Sequence, residues 1–208
     1  IDIASSSNNT VVGNWIGVNT AGTGAAGDQQ GVNIWAANNN TVGGTTAADR
    51  NVISGNTGPG IFVGGGATGT HIYGNYIGTD KTGTIAIANQ VAGVELMSSG
   101  TTVGGTTSAY RNLISGNTVG VALYSGGSSN TVLGNYIGTD VTGSVALGNT
   151  KATTGPRNVL IQRANGAVAR ACRSSRFPAA TNTQLGCIPH ANASTHMRGG
   201  LAGVTVDS

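Results

Sequence analysis

The sequence predicts an all-β fold: a right-handed parallel β-helix of three-strand coils, two coils to each repeat of about 61 residues, ending in an irregular C-terminal tail or cap. Three observations predict it. "GNYIGTDKTG" at 74–83 returns as "GNYIGTDVTG" at 134–143, and a diverged copy, "GNWIGVNTAG", stands at 13–22, so Gly13, Gly74 and Gly134 set a period of 61 and then 60 residues. Each period holds six short apolar runs separated by Gly, Asn, Asp or Thr. Finally, the 208 residues include 36 Gly but only 4% aromatic and 8% charged residues, and so little Lys, Glu and Leu makes a weak helix former. Abundant Gly without a G-X-Y period excludes collagen, and the regular apolar positions exclude disorder.

In order through the middle of the chain, the runs are "GVNIW" (31–35), "NTVGG" (40–44), "NVISGN" (51–56), "GIFVG" (60–64), "THIYGN" (70–75) and "YIGTD" (76–80). Val, Ile and Tyr in such short stretches suit strands, and "NNN", "GNT" and "TDKTG" suit the turns between them. Six strands per period make two coils of three, each stacked about 4.8 Å above the last. Repeated asparagines then fall into files: Asn14, Asn75 and Asn135 in one, Asn56 and Asn117 in another. Stacked amides can hydrogen-bond along the axis and satisfy buried turn groups. In "TD-x-TG", Asp80 and Asp140 are placed to accept N–H groups across their own turn.

These motifs resemble those of a bacterial family of β-helix repeat proteins in the broad pectin-lyase-like group, which carries tandem GN-x-IGTD-x-TG, GV-x-I, NT-x-GGT and RN-x-ISGN. The resemblance covers residues 9–149, about two and a half copies. It implies a secreted or surface-attached protein of a kind mostly without assigned activity, and hence an extracellular or cell-surface location. Carbohydrate-active members of the group cluster Asp with a His, or hold Ca²⁺ on an Asp cluster beside Arg or Lys. Neither cluster is found here: Asp49 is a lone acid whose repeat equivalent is Tyr110. The Ca²⁺-binding nonapeptide GGxGxDxUx is also missing.

The pattern breaks near residue 150, which divides the chain into a repeat domain (1–149) and an off-pattern basic tail or cap (150–208). The net charge of +3 hides the contrast. Residues 1–149 carry three cations against six acids, and residues 150–208 carry seven cations against one acid. Arg, Ala, Pro, Ser and Cys become frequent together in the tail, as in coding sequence read in a shifted frame. The tail is therefore expected to be either an unrelated cap or frame-shifted sequence. "RNVLIQ" (157–162) reads as one further strand and "ANGAVARACRSSRF" (164–177) as a short helix over the solenoid end. No run of about 18 apolar residues is present, so no membrane span is expected. There is no signal peptide and no starting Met in this chain, whose first residues read as the middle of a repeat. An uncapped first coil suggests a homodimer through the open end.

Cys172, Cys187, His190 and His196 form the sharpest chemical constellation, two thiolates and two imidazoles of the kind that hold tetrahedral zinc. Their spacing, Cys-x14-Cys-x2-His-x5-His, is not the paired Cys-x2-Cys of a zinc finger. A Cys172–Cys187 disulfide, free thiols and solvated histidines stay open beside zinc. An incomplete zinc shell would activate water for ester hydrolysis, with the tail's arginines pairing with a phosphate ester. Asp80 and Asp140, two coils and about 10 Å apart, are too distant for a retaining glycosidase pair. His71 reads as a surface or turn residue, Arg50 and Arg111 as turn caps or surface charges. Trp15, Tyr76 and Tyr136 share one file, either a sugar-stacking strip or boundary packing. The threonines read as turn residues rather than a flat ice-binding array, and the basic tail lacks the aromatic interleaving of a nucleic-acid binder. Three functions follow: a non-catalytic secreted or surface scaffold or adhesion module, a zinc-dependent phosphoesterase, or a carbohydrate-active β-helix.

Overall fold

The computed structural model describes residues 1–124 and 127–149 in full, and beyond them the backbone of Thr150–Lys151, Gly155–Pro156, Val159–Ile161 and Val168–Arg170. It is a parallel β-solenoid. The first sheet stacks Asp2–Ala4, Val32–Trp35, Ile61–Gly64, Val94–Leu96, Val121–Leu123 and Val159–Ile161. The second stacks Thr10–Val11, Thr41–Gly43, His71–Tyr73, Thr102–Gly104, Thr131–Leu133 and Val168–Arg170. The third stacks Trp15–Ile16, Val52–Ile53, Tyr76–Ile77, Leu113–Ile114 and Tyr136–Ile137. Each of the six runs read in the middle of the chain contains one of these strands.

Strand alternation sends every second side chain inward, and the parallel register puts like on like. Val32, Ile61, Val94 and Val121 form one inward file, and Ile34, Val63, Leu96 and Leu123 another. Val11, Val42, Ile72, Val103 and Val132 fill the second wall, and Ile16, Ile53, Ile77, Ile114 and Ile137 the third. Complete burial of each such side chain stabilises by about 1.5–3 kcal/mol. The β-branched side chains suit a pleated wall with no room for helices.

Two kinds of coil alternate, which is why the sequence repeats every second coil. In one kind the third strand is followed by a long hairpin loop, closed by antiparallel bridges Val18↔Ala25, Thr79↔Ala86 and Thr139↔Ala146. In the other, the excursion comes between the second and third strands, at 44–51 and 105–112. The second of these carries a single 3-10 turn, Ser108–Tyr110.

A file of polar side chains runs up each of the three corners. Where the second sheet meets the third, Asn14, Asn51, Asn75, Asn112 and Asn135 form a ladder in which each Nδ2 donates to the next Oδ1 at 3.1, 2.9, 3.1 and 2.9 Å. Where the third meets the first, Asn56, Asn89, Asn117 and Asn149 are linked in the same way at 2.8, 2.9 and 3.2 Å. The anticipated files are thus present, but each takes extra members from the alternate coils. Tight corners need glycine: Gly78 has φ +89°, and a Cβ there would meet the Ser115 carbonyl and Asn117 Oδ1.

Strand pairing also runs past residue 150. Val159–Ile161, inside the expected "RNVLIQ" strand, pairs with Val121–Leu123. Val168–Arg170, expected within a helix, instead pairs in parallel with Thr131–Leu133. The edge of the second sheet offers a row of N–H and C=O groups, and pairing satisfies them where a short isolated helix gains little.

Candidate functional site

The hairpin loops on the third-sheet side carry the acids with the most obvious catalytic look, Asp80 and Asp140. Both carboxylates face their own loop. Asp80 Oδ1 accepts the N–H groups of Thr84 and Ile85, each at 3.0 Å, and Oδ2 accepts the Thr82 hydroxyl at 2.6 Å. Asp140 Oδ1 accepts N–H groups of Thr142, Ser144 and Val145 and the Thr142 hydroxyl at 2.7 Å. Burial disfavours either charge, but these hydrogen bonds outweigh it and hold both carboxyls below the usual Asp range. Asn19 does the same work in the diverged copy, accepting the Thr23 N–H at 3.0 Å. Successive loops touch through Lys81 N–H to the Gly22 carbonyl and Val141 N–H to the Gly83 carbonyl, making a continuous flange.

Beside the flange, Trp15, Tyr76 and Tyr136 do share one file of the third sheet, with Val52 and Leu113 between them. Each ring carries a cation from within the chain. The guanidinium carbons of Arg50 and Arg111 lie 4.2 Å from the Tyr76 and Tyr136 ring centroids, and Lys81 Nζ lies 5.3 Å from that of Trp15. Arg50 and Arg111 also cap turns, donating Nε–H to the carbonyls of Gly74 and Gly134. Boundary packing therefore describes these aromatics better than a sugar-stacking strip. Asp49 is spent locally, accepting the Thr46 hydroxyl at 2.7 Å and the Thr46 N–H.

On the second sheet, the threonines stand on strands rather than turns. Thr10, Thr41, Thr102 and Thr131 form one outward file, interrupted by His71. The next outward positions hold Val12, Gly43, Tyr73, Gly104 and Leu133, so no flat double row of threonines forms. His71, on a strand rather than a turn, stacks on Tyr73, its Nδ1 lying 2.7 Å from the Tyr73 hydroxyl. Burial and neighbouring Tyr110 push the Tyr73 hydroxyl up.

Cys172, Cys187, His190 and His196 lie outside the described residues, so the zinc expectation meets no geometry here. Among the described residues no three His, Cys, Asp or Glu side chains are grouped to hold a metal ion. None of their helices is long and apolar enough to cross a membrane.

The first sheet carries the outward face that the sequence reading passed over. Trp35, half exposed, stacks nearly parallel to Phe62, at 12° and 6.2 Å between centroids. Glycine makes room for both: a Cβ on Gly64 would run into Phe62 and lie 3.1 Å from Trp35, and one on Gly65 would lie 2.7 Å from the indole. Glu95 follows Phe62 in the same outward file. Desolvation pushes its carboxyl up, and burial, with the Glu95 charge adding to it, pushes up the Tyr124 hydroxyl. The signal was present as strand alternation, since "NIW" and "FVG" put Trp35 and Phe62 on the outer side. Comparison with family models, curated proteins and solved structures gives no match.

Proposed function

We propose that the protein is a non-catalytic secreted or surface β-helix module, serving as scaffold or adhesion element. One observation carries this reading: the carboxylates best placed for chemistry are architectural. Asp80 and Asp140 are 2% and 8% exposed, and each is turned into its own loop. A general acid or nucleophile must reach a substrate, and freeing either carboxylate would leave several loop N–H groups unpaired. The resemblance of residues 9–149 to β-helix repeat proteins supports the extracellular assignment. The test is a turnover screen of the purified full chain with phosphodiester, ester and polysaccharide substrates, with added zinc and with chelator. No turnover in any arm is expected. Chelator-sensitive hydrolysis would replace the reading with a zinc-dependent phosphoesterase, and chelator-insensitive polysaccharide cleavage would replace it with a carbohydrate-active enzyme.

A further inference from the structure

The described aromatics show an asymmetry between two faces. On the third sheet, Trp15, Tyr76 and Tyr136 each lie under a cation supplied by the chain. On the first sheet, Trp35 and Phe62 carry no such cation among the described residues, and all three cations of residues 1–149, Arg50, Lys81 and Arg111, are committed elsewhere. A carboxylate stands beside them. Glu95 is the register partner of Phe62 on one side and Ala122 on the other, half-buried, and among the described residues it makes no hydrogen bond or ion pair.

A partly desolvated carboxylate in register with Phe62, whose ring lies nearly parallel to that of half-exposed Trp35, is the complement of a planar cation. Guanidinium stacks on aromatic faces and pairs with carboxylate through two parallel N–H bonds, whereas ammonium is a compact, strongly hydrated point charge. The chain itself uses guanidinium on an aromatic ring twice, with the same 4.2 Å separation.

We propose that the outer face of the first sheet is a binding site for an arginine side chain of a partner polypeptide, stacked on Trp35 and Phe62 and paired with Glu95. The inference rests on the reading of the protein as a binding module and gives that module a ligand class. A neutral sugar chain would also stack on flat rings, but it leaves the Glu95 charge unmet.

The test is a fluorescence titration of the full chain carrying Trp15→Phe, so that Trp35 alone reports, with hexa-arginine as probe. A saturable change is expected, at least tenfold tighter than with hexalysine and weakened at least tenfold by Glu95→Gln. Asp28→Asn, remote from this face, should leave it unchanged, and thermal unfolding of each variant confirms that the fold persists. Equal binding by Glu95→Gln would overturn the proposal, as would equal binding of hexalysine. A neutral hexasaccharide that binds regardless of Glu95 would assign the rings to carbohydrate instead. Failure of this titration leaves the non-catalytic reading standing, whereas turnover in the substrate screen overturns that reading without touching the titration.

Discussion

Two corners of the solenoid are built from the same idea and finished differently. Between the second and third sheets the asparagine ladder is unbroken from Asn14 to Asn135. Between the first and second sheets the corresponding file reads Asn9, Asn40, Thr70, Thr101, Asn130. Asn9 Nδ2 donates to Asn40 Oδ1 at 3.0 Å, and Thr101 N–H to Asn130 Oδ1 at 2.8 Å, but the middle is interrupted. Asn40 Nδ2 and the hydroxyls of Thr70 and Thr101 are buried and find no hydrogen-bond partner among the described residues. A threonine is one atom too short and one donor too few to span a coil. Continuity, rather than the mere presence of polar side chains, is what lets a buried amide file stabilise a corner.

That contrast can be broken most severely at the intact corner. Asn112→Ala removes the acceptor for the Asn75 N–H and Nδ2 and the donors to the Ile72 carbonyl and Asn135 Oδ1, all buried. Orphaned buried groups cost about 1–3 kcal/mol each, so a loss of at least about 3 kcal/mol is expected in urea unfolding. Next in size, Asp140→Ala strips the hairpin loop of its shared acceptor, and about 1–2 kcal/mol should be lost by the same measurement.

The acids also predict opposite slopes with pH. Asp80 and Asp140 sit below their ordinary value of 3.8 when folded, so in that window the unfolded chain binds more protons. Their stabilisation is present above the ordinary Asp range and is lost as pH falls through the folded values. Glu95 is raised above 4.5, so its charge costs stability as pH rises through its folded value. Asp80→Asn/Asp140→Asn should flatten acid unfolding between about pH 5 and about pH 3, while Glu95→Gln should stabilise the protein at neutral pH.

Repair should raise stability by a smaller amount. Thr70→Asn/Thr101→Asn would complete the file from Asn9 to Asn130, and a gain of about 1 kcal/mol is expected in urea unfolding. Smallest of all, Arg111→Ala uncovers Tyr136 and should cost about 0.5–1 kcal/mol.

The walls were legible in the sequence because period-two alternation and the 61-residue repeat act together on Val, Ile and Leu. The ladders were legible only in part. Asn51 and Asn112 follow Arg rather than Gly, and Asn89 and Asn149 recur only as the last residue of a loose TG-x-x-A-x-x-N, yet backbone stacking brings Asn51, Asn112 and Asn89 each between two members already foreseen and sets Asn149 beyond Asn117. Pattern matching at a two-coil period sees alternate rungs, whereas the hydrogen bonds run from one coil to the next. The first-sheet face escaped for a related reason. Trp35, Phe62 and Glu95 occupy three successive coils without repeating one residue type, so only register brings them together.

The most direct test lies within a single coil, comparing Asn75→Ala with Thr70→Val by equilibrium unfolding in urea. The Asn75 side chain makes four buried hydrogen bonds, and the Thr70 hydroxyl makes none among the described residues. A loss of about 3 kcal/mol for Asn75→Ala, beside no loss or a gain of up to about 1 kcal/mol for Thr70→Val, is the expected result. Comparable losses for the two would contradict the claim that an unbroken amide file is what holds these corners.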